Sequence, residues 1–448
     1  MAAELTAQDT AQGTIRAHGT EQHACPDCGQ FQFLPRLRPG AEARCLRCDS
    51  VLKRFRQSPF DAPLALSIAG LLLYVMTLST PFLSLNLLGR TRSSQVESGA
   101  YSFLADGFWG LTGIVLATLV LVPLVRLLLL LSVLLGLRFA NPPPALRALF
   151  RWYRHLAPWG MVEVFLFGAL VSYTRLVDLA EVTIGPGAFL LAGLALLTVA
   201  TDAALDPPTI WEALDERCPS LAAKPAAAAP HGGAPRALGC HCCGLVSEAA
   251  EGEACRRCGA ALHHRKRNSL QRSWALCLAA AVLYVPANYY PVMTIVTLGR
   301  GGPHTILGGV VEFIQSGFWP LALIVFLASV AVPMLKLVGL VVMMLGVQRR
   351  SPWRLRDRTR LYRLVEVIGR WSMIDVFVVS VLIALVRFGV LASINAEVGA
   401  MCFAGVVLLT MVAVETFDPR LMWDAANQPG DQLAAREPSP DLPAGAAP

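Results

Sequence analysis

The chain has 448 residues, 55% of them hydrophobic and only 15% charged, with a formal net charge of +7. An average soluble domain carries about 25% charged residues, so this composition excludes a set of water-soluble domains, a disordered chain and a coiled coil. The basic residues fall in short clusters between long apolar runs, which is the distribution of membrane topology rather than of a nucleic-acid surface.

Residues 1–24 are expected to be disordered and, with no apolar signal-peptide core, to stay in the cytosol. Thiols are kept reduced there, so the twelve cysteines read as metal ligands or core residues before they read as disulfides. Residues 25–56 carry the knuckles Cys25-Pro-Asp-Cys28-Gly and Cys45-Leu-Arg-Cys48, with 16 residues between them. Residues 240–267 carry Cys240-His-Cys-Cys243-Gly and Cys255-Arg-Arg-Cys258-Gly, with 11 between them. Two such pairs suit a tetrahedral four-cysteine zinc site, which leaves no position open to water and is therefore structural. A redox CxxC and an iron site are the alternatives, and Cys242 competes with Cys243 at the second site. Cys218, Cys277 and Cys402 read as apolar filler.

Four apolar stretches follow each ribbon, near 62–84, 108–136, 157–176 and 184–203, then near 273–297, 317–347, 371–391 and 397–416. Each approaches the ~20 residues that a helix needs to cross a bilayer. Pro123 and Pro333 are the expected kink points of the long second span in each set. The divisions are a ribbon at 25–56, a transmembrane unit at 57–211, a linker at 212–239, a second ribbon at 240–267, a second unit at 268–426 and a disordered tail at 427–448.

The two units are copies. Pro81, Gly89 and Asp106-Gly-Phe-Trp109 recur 210 residues later as Pro291, Gly299 and Ser316-Gly-Phe-Trp319. Trp159, Met161, Glu163 and Phe165 recur at an offset of 212 as Trp371, Met373, Asp375 and Phe377, and Asp206-Pro207 returns as Asp418-Pro419. The expected fold is thus an all-α integral membrane protein, a tandem duplication of a four-helix unit with a small zinc ribbon before each copy. An even number of spans puts both termini on one side. The arginines after span two, Arg138, Arg147, Arg151 and Arg154, and their counterparts from Arg349 to Arg363, make that side the cytoplasm.

Charges at bilayer depth are costly and mark pathways or relays. Arg126 recurs as Lys336 and Glu163 as Asp375, so each copy keeps a base on its second span and an acid on its third, and counting from flanking arginines allows each pair to meet. Ser329, Ser372 and Thr410 gather near the second pair, while Leu119 and Gly160 stand at the positions of the two serines in the first copy. These residues form a transport or coupling site in one reading; in the other, the bases snorkel to the interface and the acids hold helices together. Trp109, Trp159, Trp319 and Trp371 fit an aromatic belt. No Gly-x-x-x-x-Gly-Lys-[Ser/Thr] loop is present to bind ATP.

With its duplicated four-cysteine ribbons, four spans per copy and repeated Gly-Phe-Trp and Asp-Pro landmarks, the chain resembles the bacterial paraquat-inducible protein A and lipid-transport LetA family from Cys25 to Trp423. The resemblance implies an inner-membrane protein, not an enzyme, that passes phospholipid to or from a periplasm-spanning partner built of MCE domains. Coupling to the proton gradient through Lys336 and Asp375 is the mechanism expected. A passive membrane anchor for that partner and a membrane redox protein using CxxC thiols are the rival readings.

Overall fold

A computed structural model describes residues 22–218 and 236–426, apart from 35, 36, 39, 88, 178–180, 298, 299, 316, 318 and 389–391. The landmarks Gly299, Ser316 and Phe318, most of the expected linker, and nearly all of the two expected disordered ends lie outside the described residues. Within the linker assigned to 212–239, helix Pro207–Arg217 reaches past its start and strand Arg236–Gly239 occupies its end.

The protein is mostly helical. Eight helices among the described residues are long and apolar enough to cross a membrane: spans one to four at Asp61–Ser79, Trp109–Gly136, Ala145–Val177 and Pro186–Ala204, and spans five to eight at Ser269–Tyr289, Leu327–Gln348, Leu355–Leu385 and Val398–Thr416. At the expected kinks the helix opens into a π turn just before each proline, at Ala117–Leu121 ahead of Pro123 and at Leu327–Ala331 ahead of Pro333. Proline has no N–H for the preceding turn, and the wider turn absorbs the misfit. Spans three and seven each begin with an arginine-rich helix, Ala145–Leu156 and Leu355–Trp371, before the apolar stretches Val162–Val177 and Ile374–Leu385.

An all-α fold is corrected by two small sheets at the end of the units away from the ribbons. Leu83–Leu87 pairs antiparallel with both Arg90–Ser94 and Glu181–Ile184, and Met293–Thr297 pairs with both Arg300–His304 and Ala392–Ala396. Strand Met293–Thr297 falls within the expected end of span five and strand Leu83–Leu87 overlaps that of span one by two residues, because both strands are short, partly apolar and follow closely on the helices before them. The hairpin of the first sheet turns at Gly89, whose φ of 80° favours glycine.

The two units meet along spans three and seven. Every residue of Ile374–Leu385 except Asp375 is buried. Phe377 meets Phe165 edge-on with ring centroids 5.6 Å apart, and Ser172 Oγ donates to the Val378 carbonyl at 3.2 Å. Small residues permit the approach. A Cβ on Gly168 would lie 3.1 Å from Phe377 Cβ, and one on Gly99, in helix Ser98–Ala105, would collide with Ser380 Oγ and lie 2.6 Å from the Ser380 carbonyl oxygen.

Gly99→Ala is therefore expected to lower the melting temperature of the detergent-solubilised protein, at a cost of about 1–3 kcal/mol from overpacking. Gly110→Ala, on a helix where a Cβ meets open space, is expected to leave the melting temperature unchanged or raise it slightly, through a gain of up to about 1 kcal/mol of helix propensity. Equal effects of the two changes in a thermal-shift series would contradict this packing.

Candidate functional site

Each ribbon gathers its four cysteines. The sulfurs of Cys25, Cys28, Cys45 and Cys48 lie within 4.8 Å of one another, as do those of Cys240, Cys243, Cys255 and Cys258, and all eight residues are buried. In all four knuckles the residue after the second cysteine has positive φ, at Gly29, Asp49, Gly244 and Gly259. That residue's N–H returns to the carbonyl of the first cysteine at 2.8–3.0 Å, closing the turn that aims both thiols the same way. Cys25 and Cys48 sulfurs are 3.6 Å apart, Cys28 and Cys45 3.5 Å, Cys240 and Cys258 3.4 Å, and Cys243 and Cys255 3.6 Å. Four thiolates at about 2.3 Å from a tetrahedral ion sit about 3.8 Å from each other, so the donor set fits one metal ion per ribbon. Cys243 belongs to the cluster, and Cys242 lies outside it, half-buried.

The ribbons are exchanged between the copies. Ribbon one packs its cysteines and Leu52 against Trp423 and Leu355 of unit two. Arg363 holds Asp27 at 2.7 Å and the Cys48 carbonyl at 3.1 Å, and the Arg47 guanidinium lies 4.5 Å from the Trp423 ring centroid. Ribbon two instead joins the core of unit one with Phe150, Trp211 and Leu214. There buried Arg147 donates to the carbonyls of Arg256 and Arg257 at 3.0 Å and of Cys218 at 2.7 Å, while Arg151 reaches the Cys258 carbonyl at 3.3 Å. The ribbons also touch each other, through the Ala24 N–H on the Gly244 carbonyl at 3.0 Å.

The repeated Asp-Pro landmark ties the strap after each ribbon back to its own unit. Asp206 accepts the Arg54 N–H at 3.3 Å and caps helix Pro207–Arg217 through the Thr209 N–H at 3.2 Å. Asp418 accepts the Lys266 N–H at 3.1 Å and the Arg420 guanidinium at 2.9 and 3.0 Å. Burial alone would raise the Asp418 carboxyl, but Arg420 and the backbone donors outweigh it and hold it at about 2.

Among the buried charges the structure rearranges the expected pairs. Arg126 does not take Glu163: it pairs with Asp202, donates to Tyr153 Oη at 3.4 Å and lies 5.1 Å from that ring's centroid. Glu163 accepts instead from Thr198 Oγ1 at 2.9 Å, and all five residues line one narrow cleft. Lys336, 1% exposed, donates to Ser372 Oγ at 2.9 Å and to the Gly369 carbonyl at 3.4 Å, at the bend of span seven. No ion pair between Lys336 and Asp375 exists among the described residues. Asp375 lies where Ser329 and Arg175 are near enough to act on its charge, and its Oδ2 is buried with no hydrogen-bond partner, as is Ser329 Oγ on the π turn. Thr410 is fully buried and donates to the Val407 carbonyl at 2.9 Å.

Two members of these clusters, Tyr153 and Arg175, escape the sequence reading, and a third, Asp202, reads from its place near the cytoplasmic end of span four as a headgroup contact rather than as the partner of Arg126. Asp202 and Tyr153 have Val414 and Val365 at the equivalent places, so the repeat comparison passes over them. Arg175 does recur, as Arg387, which holds Asp106 at 2.5 Å; that recurrence was the available signal.

A family model described as "Paraquat-inducible protein A" matches residues 60–215 and 270–427, one match per copy. "Intermembrane transport protein PqiA" of Escherichia coli strain K12 is 34% identical over 411 residues, covering 91% of this chain and 96% of that protein. "Lipophilic envelope-spanning tunnel protein A" of the same strain is 31% identical over 418 residues, covering 92% and 94%. No solved structure matches the chain significantly.

Elemental mass spectrometry of the purified protein is expected to find two metal ions per chain. Cys243→Ser is expected to remove one of them and Cys242→Ser neither; loss of metal in the Cys242 variant alone would reverse the ligand assignment.

Proposed function

The chain belongs to the paraquat-inducible protein A family, and on that premise we propose that it is the inner-membrane component of a lipid transport system, passing phospholipid to or from a periplasm-spanning MCE-domain partner. In this reading the ribbons, both termini and the arginine-rich helices Ala145–Leu156 and Leu355–Trp371 face the cytoplasm, where basic residues concentrate. The two sheets then face the periplasm and the partner. The ribbon metal is zinc, the usual ion of a closed four-thiolate site, and it stabilises the ribbons rather than reacting.

The observation that carries the reading is the incompletely satisfied polar cluster on spans six and seven. Lys336 is buried against Ser372, while Asp375 Oδ2 and Ser329 Oγ lack hydrogen-bond partners among the described residues, beside or on span seven, the most deeply buried of the eight spans. A buried carboxylate with an unsatisfied oxygen is costly, and such groups persist where a change of charge or helix position is used. Here a proton gained or lost by the cluster would shift span seven, the helix on which the two units meet, and the gradient would drive phospholipid through the second unit. A passive anchor gives this cluster no task.

The test is transfer of labelled phospholipid between donor and acceptor vesicles, with the protein and its MCE partner, with and without a proton gradient. Gradient-dependent transfer is expected to fall at least about tenfold in Lys336→Ala and in Asp375→Asn, in protein that retains its metal and melting temperature. Transfer indifferent to the gradient and to both substitutions would leave the passive anchor.

A further inference from the structure

Between ribbon two and unit one lies a cavity of about 850 Å³, counting its open mouth, lined by Arg151, Trp152, Arg154, His155, His241 and Cys242. The lining holds two guanidinium groups and two imidazoles and no carboxylate. Glu415, at the end of span eight, acts on His155 from outside the lining. Arg420 donates to His241 Nδ1 at 2.5 Å and is itself paired with Asp418, while His241 Nε2 donates to the His263 carbonyl at 3.2 Å. Arg151 spends one N–H on the Cys258 carbonyl, and Arg154 makes no hydrogen bond or ion pair among the described residues.

The other copy supplies an internal control. The 212-residue offset carries Arg151, Arg154 and His155 onto Arg363, Glu366 and Val367, and the 215-residue offset of the first knuckle carries Cys242 onto Asp27. The contact of Arg151 with Cys258 is repeated by Arg363, which reaches the Cys48 carbonyl at 3.1 Å. In that copy, however, Arg363 also holds Asp27 at 2.7 Å, and Glu366 lies near enough for its charge and that of Asp27 to act on each other. The same interface is thus neutralised from within in one copy, while in the other Cys242 and Arg154 stand in place of both acids.

We propose that this cavity binds a phosphate-bearing anion that takes the place of the missing carboxylates: the headgroup of an anionic phospholipid or free phosphate. Guanidinium groups pair with phosphate oxygens through parallel N–H donors. The position also suits a lipid. Trp152 is 53% exposed beside the mouth, and the lining residues close the helix that leads into span three, at the depth where basic pockets and aromatic rings meet headgroups. This inference needs neither transport nor proton coupling, and its test reads binding alone.

The full-length protein in neutral detergent is titrated calorimetrically with dihexanoyl phosphatidylglycerol and, separately, with inorganic phosphate, beside an Arg154→Glu variant. That substitution installs the residue the other copy has, at an exposed position with no hydrogen bond to lose, and metal content and melting temperature check that the fold is kept. Saturable binding of the lipid, weakened at least about tenfold in the variant, supports the site with a headgroup as its ligand. The same pattern with inorganic phosphate supports it with free phosphate. No saturable binding of either, or binding that Arg154→Glu leaves unchanged, overturns the proposal.

Discussion

The packing of span three on span seven is the contact on which the rest of the structure depends. In a bilayer the hydrophobic effect does not drive one helix onto another, so association rests on close van der Waals fit and a few hydrogen bonds. Gly168 and Gly99 supply the fit on either side of span seven, the Phe165–Phe377 ring pair fills it, and Ser172 bonds across it to the Val378 carbonyl. The consequence is visible in burial: 72% of the span-seven window is inside the protein against 22% for span five, so span seven is the axis and span five an outer wall. Any movement of Asp375 or Ser372 is a movement of this axis.

The exchanged ribbons give the two copies a second connection on the opposite side of the axis from the sheets. Each ribbon is tethered to its own unit through the Asp-Pro landmark and docked on the other unit through arginines of the helix leading into span three or seven. Each knuckle is a tight hydrogen-bonded turn of few residues, so the docked face of one unit is linked to the strap of the other with little slack. The duplication is also asymmetric where it matters. Serines replace Leu119 and Gly160 of the first copy at positions 329 and 372, and acids of the second interface are replaced by Cys242 and Arg154 in the first. Copies that share a fold have thus been given different chemistry inside the membrane and at its surface.

Features set by local sequence were legible from it. The eight helices follow from runs of apolar residues, the two four-cysteine clusters from knuckle spacing, and the distorted turns from Pro123 and Pro333. What escaped depends on how distant segments meet. Strand Leu83–Leu87 finds Glu181–Ile184 nearly a hundred residues away, and its apolar residues look like the end of span one. Residue counts along a helix fix depth but not which way a side chain points around the axis. That is why Arg126 and Glu163, rightly put at similar depth, face Asp202 and Thr198 rather than each other. The ribbon exchange leaves no local trace at all, since either unit offers arginines to either ribbon.

That exchange is the structural claim most open to direct trial. A benzophenone-bearing residue in place of Arg47, 4.5 Å from the Trp423 ring in the native protein, is photolysed in membranes, and the chain is then cut at a protease site inserted between residues 222 and 235. The account predicts a cross-linked product that retains both halves after the cut, with Trp423 or its neighbours at the junction by mass spectrometry. Cross-links confined to residues 1–221 would show each ribbon sitting on its own unit and would contradict it.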